Sequence, residues 1–165
     1  MIAKPLSEID ILRLVAREAA KRSMDPRTQN AAALARRDDI LVVAANAIPA
    51  GVTRSADRLE APAKYDFVEH AERAAIYKAA SFGWSTGGST LYALWFACPD
   101  CARAIISAGV YEVVGLAKTR SLTPQRWLES VQTGEQMLRE AGIGMRWLAD
   151  PLGVSIRFNG KEVQL

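Results

Sequence analysis

The chain has 165 residues, 50% of them hydrophobic and 24% charged, with a formal net charge of +3. That is enough chain for one domain with a real core, and the composition is that of an ordinary globular protein. It excludes a helical membrane protein, since no apolar run approaches the roughly 20 residues that span a bilayer. It also excludes a disulfide-stapled secreted scaffold, for which two cysteines are too few.

Lys4, Pro5, Glu8 and Asp10 make the N-terminus too polar for a secretory signal. The expectation is a single domain over residues 1–165 in the reducing cytoplasm, with charge that permits an anionic substrate. Ser7 can cap a helix, and Asp10 completes an approximate capping box. Ile9, Leu12, Ala16 and Ala19 then recur at helical spacing, while Arg13, Arg17 and Lys21 mark a basic, solvated face. Asp25-Pro26 breaks the pattern. Ala31 to Arg36 and Ile40 to Asn46 read as two strands about a turn at Asp38-Asp39. A long loop from Asn46 to about Phe67 carries Arg54, Arg58 and Lys64 and is expected to wall a pocket.

Val68 to Phe82 is alanine-rich and reads as a helix. Ser89 to Phe96 is apolar and aromatic, and reads as a buried strand. Pro99 to Ala108 reads as a short helix with proline in its first turn. Tyr111 to Ala117 reads as a strand, and Thr123-Pro124 opens a helix that ends at Gly142. Ile143 to Leu148 and Val154 to Phe158 read as strands. The order α-β-β-α-β-α-β-α-β, with one more strand to follow, predicts a sheet with helices on both faces.

The single histidine and both cysteines fall in two short pieces, His70-Ala71-Glu72 and Cys98-Pro99-Asp100-Cys101. Each piece is expected at a helix start. Residues three apart share a helix face, so both sulfurs can reach one ion. The positive end of the helix favours the thiolates that zinc needs. Catalytic zinc commonly takes three protein ligands and leaves its fourth position to water. His70, Cys98 and Cys101 are such a set. Glu72, placed beside that water without being a ligand, is the candidate general acid–base. Singly, each piece has a plainer reading: a packed core histidine, a redox C-x-x-C pair, a helix-dipole carboxylate. Their coincidence points to zinc chemistry.

These pieces match the zinc-deaminase signature H-x-E…P-C-x-x-C, with Ala97 in place of the proline. The chain resembles the cytidine deaminase superfamily, and within it the deoxycytidylate (dCMP) deaminase branch. Arg22-Ser23-Met24-Asp25-Pro26-Arg27-Thr28-Gln29 is similar to that branch's R-S-x-D-P-x-x-Q segment. Asn46-Ala47-Ile48-Pro49-Ala50-Gly51 resembles its N-G-x-P-x-G loop, and Lys64-Tyr65 its K-Y pair. Thr90-Leu91-Tyr92 and Ala108-Gly109-Val110 also fit.

The resemblance implies a three-layer α/β/α fold around a mixed five-stranded sheet. It implies a zinc ion, hydrolytic deamination of a cytosine nucleotide with Glu72 shuttling protons, and a homo-oligomer, dimer or hexamer. Asn46 takes the family's sugar-contacting role, Ala71 is a candidate substrate contact, and Arg54, Arg58, Lys64 and Arg120 are candidate phosphate partners. Two departures bear on the substrate. Ala74 stands where the branch has an asparagine facing the deoxyribose, and Asn30-Ala31-Ala32 stands where it has V-G-A. Loss of a hydrogen-bonding group relaxes discrimination, so another small amino-heterocycle is the competing substrate. A nucleic-acid-editing deaminase would need a basic groove with interleaved aromatics, and nucleic acid is disfavoured as a partner. A non-catalytic zinc protein would need a carboxylate to close the fourth position.

Overall fold

The computed structural model describes residues 6–37 and 39–165, so Lys4, Pro5 and the turn residue Asp38 lie outside it. Helix α1 (Glu8–Arg22) starts as its sequence dictates: Ser7 and Asp10 form a reciprocal capping box. Strands β1 (Ala31–Arg36) and β2 (Asp39–Ala45) follow, then a 3-10 turn at Ala56–Leu59 and a short helix α2 (Lys64–Phe67). Next come α3 (Ala71–Ser81), β3 (Thr90–Ala93), α4 (Pro99–Ser107), β4 (Glu112–Leu116) and α5 (Ala117–Ser121). The chain then runs through α6 (Leu128–Glu140), β5 (Gly144–Leu148), β6 (Ser155–Phe158) and β7 (Lys161–Gln164).

Five strands form one mixed sheet in the order β2-β1-β3-β4-β5. Strand β1 is antiparallel to β2 and β3, whereas β3, β4 and β5 run parallel. Strand alternation sorts side chains to two cores. Ala32, Leu34, Leu91, Ala93 and Val113 face α3, α4 and α6, where Ala75, Ala79, Ala102, Ile105 and Leu138 are buried. Ala31, Ala33, Ala35, Tyr92 and Val114 face the other way, against Ile11, Leu12, Val15, Ala16 and Ala19 of α1. The alanines of β1 and α3 let these layers approach closely. The expected three-layer α/β/α architecture is present.

The boundaries differ where tertiary contacts override local pattern. The helix expected from Val68 begins at Ala71, because Glu69 and Ala47 exchange backbone hydrogen bonds of 2.9 and 3.2 Å and hold Val68–His70 extended. The strand expected to reach Phe96 stops at Ala93. Beyond it the Trp95 carbonyl accepts from the Asn30 side chain rather than from a strand. The helix expected at Thr123 starts at Leu128, after a 3-10 turn over Gln125–Trp127. Three elements escape sequence reading: α2, one turn inside the expected long loop, α5, five residues with no apolar period, and β7, mostly exposed.

Strands β6 and β7 make a separate antiparallel hairpin. Its turn, Asn159-Gly160, has φ of 50° and 78°, the left-handed pair that a tight two-residue turn requires. The hairpin packs on α1 through Ile156 and Phe158 and bonds to the segment after it. Gln29 N–H donates to the Arg157 carbonyl at 2.8 Å, and Gly160 N–H to that of Arg27 at 2.7 Å. No helix among the described residues is long and apolar enough to cross a membrane.

Candidate active site and metal centre

Two helix starts meet behind the sheet. His70 is the N-cap of α3 and Cys98 the N-cap of α4, with Pro99 opening that helix and Cys101 in its first turn. The extended stretch before His70 and the turn before Cys98 aim both caps at one point. His70 Nδ1 lies 3.4 Å from Cys98 Sγ and 3.5 Å from Cys101 Sγ. The three donor atoms lie within 4.8 Å of one another. A tetrahedral zinc ion with N and S ligands puts those atoms roughly 3.6 Å apart, so the donor set and its spacing fit zinc.

The electrostatics are those of a metal cradle. Hydrogen bonds accepted from Cys101 and His70 hold the Cys98 thiol down at about 4 despite its burial. The hydrogen bond with Cys98 lifts His70 to about 9, and Cys98 and burial together push Cys101 up. An ion bound here would displace two protons, one from His70 and one from Cys101. Arg73 closes the back of the site. Its Nε donates to Glu69 at 2.6 Å and its Nη1 lies 3.5 Å from Asp100, tying α3 to the first turn of α4.

Glu72 is 3% exposed, and its Oε2 is buried without a hydrogen-bond partner. Burial raises its pKa to about 7, so the carboxyl sits where it can both give and take a proton at neutral pH. It is not part of the three-residue donor cluster.

The cluster opens into a cavity of about 280 Å³. His70, Ala71, Glu72 and Cys98 lie at its base, and Asn30, Asn46, Trp95 and Phe96 line its side. Lys64 and Tyr65 of the long loop form another wall, as the loop's length leads one to expect, and Arg27, Arg126 and Trp127 line it as well. Tyr65 and Trp127 meet edge to face, with ring centroids 5.7 Å apart.

Of the residues expected to touch substrate, Asn46, Ala71 and Lys64 line this cavity, whereas Arg54, Arg58 and Arg120 do not. Arg120 is claimed by Glu135, with bidentate bonds of 2.9 and 3.0 Å, and its guanidinium lies 4.5 Å from the Trp147 ring centroid. Arg58 donates to the Thr53 carbonyl and sits over Phe67, and Arg54 is exposed. Lys64 is in the wall but is neutralised by Asp25, at 2.8 Å in a nearly buried pair.

Sequence reading passed over Arg27, Trp95, Arg126 and Trp127, and marked Asn30 only as a departure from the branch pattern. Arg27 lay inside the R-S-x-D-P run without a role. Among the described residues it makes no ion pair, and Arg126 has only the Asn159 amide oxygen, at 2.8 Å. Both converge on the hairpin turn: Arg27 lies beside Gly160, and Arg126 bonds Asn159.

Residues 7–117 match the family described as the cytidine and deoxycytidylate deaminase zinc-binding region. A curated relative, the uncharacterized deaminase in the luxG 3′ region of Aliivibrio fischeri, is 35% identical over 126 residues, 76% of this chain and 83% of that protein. Human deoxycytidylate deaminase is 33% identical over 104 residues, 58% of this chain and 57% of its own length. Among solved structures, the apo form of the dCMP deaminase from cyanophage S-TIM5 superposes with a TM-score of 0.68 at 24% identity. That match covers 88% of this chain and 100% of the phage protein, and it shows the shared fold. The chain belongs to the cytidine and deoxycytidylate deaminase family, and it is a zinc-binding hydrolytic deaminase.

Proposed function

We propose that this enzyme removes the exocyclic amine from a cytosine nucleotide of the dCMP type, leaving the uracil nucleotide and ammonia. The observation that carries the reading is the orphaned Glu72 Oε2, which belongs to a cavity-lining carboxyl beside the His70–Cys98–Cys101 cluster. Zinc held by that cluster supplies Lewis-acid activation of water at neutral pH. Glu72 does the proton work. Its carboxylate takes a proton from the attacking water, passes it to the ring nitrogen next to C4, and then serves the departing amine. The C4–oxygen bond forms, the C4–nitrogen bond breaks, and no redox partner is needed. Burial keeps the carboxyl's affinity for that proton near neutral, which suits a group that must both accept and return it.

Charge supports a nucleotide over a free base. Arg27 and Arg126 line the cavity without a carboxylate partner among the described residues, and two such cations suit a phosphate. Asn46, Ala71 and Lys64 shape the walls around the sugar and base. A homo-oligomer is part of the same proposal, since Tyr77, Phe82, Trp84 and Tyr111 are large apolar side chains left exposed. So is a reducing, cytoplasmic setting, which keeps the two free thiols available for the ion. The competing substrate, another small amino-heterocycle, is favoured by Asn30 and Ala74, which stand where the branch has other residues.

The test is ammonia release by the zinc-loaded protein from dCMP, CMP, cytosine and a panel of amino-heterocycles. Turnover of dCMP is expected. Glu72→Gln should lower kcat by about 10²- to 10⁴-fold with zinc content unchanged. Stripping the metal with a chelator should abolish turnover, and adding zinc back should restore it. Turnover confined to free bases would overturn the nucleotide reading.

A further inference from the structure

Two acceptor atoms from side chains lining the cavity are buried without a partner. One is Glu72 Oε2, which the chemistry uses. The other is Asn30 Oδ1. Asn30 sits just before β1 and is 7% exposed. Its Nδ2 donates to the Trp95 carbonyl at 2.9 Å, which fixes the amide's orientation, because the flipped form would set two acceptors face to face. Its backbone N–H donates to Asn46 Oδ1 at 3.0 Å. The oxygen is therefore the one polar side-chain atom of Asn30 without a hydrogen-bond partner among the described residues. Buried acceptors in that state are rare, because water has been given up and nothing received in return.

Asn46 is in the opposite condition. Its Oδ1 already accepts from Ser23 Oγ at 2.6 Å as well as from Asn30, and its Nδ2 donates to the Thr28 carbonyl at 3.0 Å. Asn46 has no acceptor to spare for a ligand and offers at most one N–H. The structure divides the work between neighbours: Asn46 braces, and Asn30 keeps a free lone pair. Ala74 contributes no polar side-chain atom.

We infer that Asn30 Oδ1 accepts a hydrogen bond from an O–H or N–H of the bound substrate, and that Asn30 thereby selects for substrates bearing that donor. The inference rests on the deaminase reading above. Such a donor on a cytosine nucleotide is either a pentose hydroxyl or the exocyclic amine. A site with an unpaired buried acceptor rejects an analogue lacking the donor, because the acceptor then stays unpaired in the complex.

The test compares kcat/KM for three substrate pairs in the wild type, Asn30→Val and Asn30→Ala, all zinc-loaded. The pairs are dCMP with 2′,3′-dideoxycytidine monophosphate, CMP with dCMP, and dCMP with its N4,N4-dimethyl derivative. The readout is the ratio within each pair, so any loss of folded protein cancels. The wild type is expected to prefer the donor-bearing member of one pair by about tenfold or more. Both variants should bring that ratio close to one and leave the other two unchanged. The pair that collapses identifies the donor. Ratios in both variants within twofold of the wild type for all three pairs would overturn the inference and leave Asn30 with a structural role or a bound water. A wild type that turns over another amino-heterocycle but no nucleotide overturns the nucleotide reading alone. The Asn30 ratio is then read on that compound against its N,N-dimethyl derivative, where an unchanged ratio overturns the inference. No turnover of any compound overturns both.

Discussion

Gly134 of α6 lies directly against the carbonyl of Ala97, so closely that a Cβ on residue 134 would overlap that oxygen and crowd the Cys98 backbone. Helix α6 thereby holds the turn that aims Cys98 at His70. Gly134→Ala should force one of them to move. Overpacking of this kind costs about 1–3 kcal/mol, and here the displaced group carries a metal ligand. The expected outcome is a lower Tm together with weaker zinc retention, measured by thermal melting and by metal content after dialysis. A variant that melts early but keeps its zinc would show that the turn is held by other contacts.

Arg27 and Arg126 should act on nucleotides and not on nucleosides. Arg27→Gln and Arg126→Gln are each expected to reduce kcat/KM for dCMP by roughly tenfold, in line with loss of one charge-assisted contact. Activity on deoxycytidine should be unaffected. Steady-state kinetics on the two substrates measures the difference. Equal losses on both would mean that the arginines support the hairpin rather than a phosphate.

Arg120 should matter to folding alone. Its removal leaves the buried Glu135 carboxylate without its bidentate partner and strips a cation from the face of Trp147. Arg120→Ala is expected to destabilise by about 1–3 kcal/mol with kcat/KM for dCMP unchanged. Denaturant unfolding and kinetics on the same preparation check both halves. A raised KM would place Arg120 on the substrate after all.

Arg146 gives the fold a pH-dependent clasp. It bridges Glu8 of α1 and Glu112 of β4, at 3.0 Å and 2.7 Å. The bond to Arg146 holds the Glu8 carboxyl below its ordinary 4.5. A depressed folded pKa contributes stability above that value, and the contribution is lost as pH falls below it. All three side chains are partly solvated, so the effect is modest. Arg146→Gln should therefore lower Tm by a few degrees at pH 7, and by less at about pH 3. High salt should shrink the difference at pH 7. A difference that grows on acidification would contradict this account.

The zinc cluster was legible because its information is local. Ligands spaced by three across a helix start, with proline after the first cysteine, determine their own geometry. The helical layer was legible for the same reason, since the apolar spacing of α1 names its buried face. The rim of the cavity was not. Lys64 looks like a free cation in the sequence, and only the fold brings Asp25 to it across 39 positions. Arg120 looks available until α6 presents Glu135. Arg126 and Trp127 belong to a 3-10 turn that reads as the start of a helix. Their place in the cavity depends on how α6 packs, which no short stretch encodes. Asn30 stood out only as a departure from a pattern. Its meaning came from seeing which of its atoms were already occupied.

The β6–β7 hairpin has a consequence for how such an enzyme can change. Every group that grips the ion or shuttles protons precedes residue 102, whereas the hairpin and Arg126 lie beyond the stretch that the family shares. The hairpin reaches back to the mouth through bonds to Pro26, Arg27, Thr28 and Gln29, and Arg126 bonds to its Asn159. The reactive machinery and this part of the rim thus meet along one seam. Grafting a different tail across that seam could retune the diet of the enzyme while its engine stays as it is.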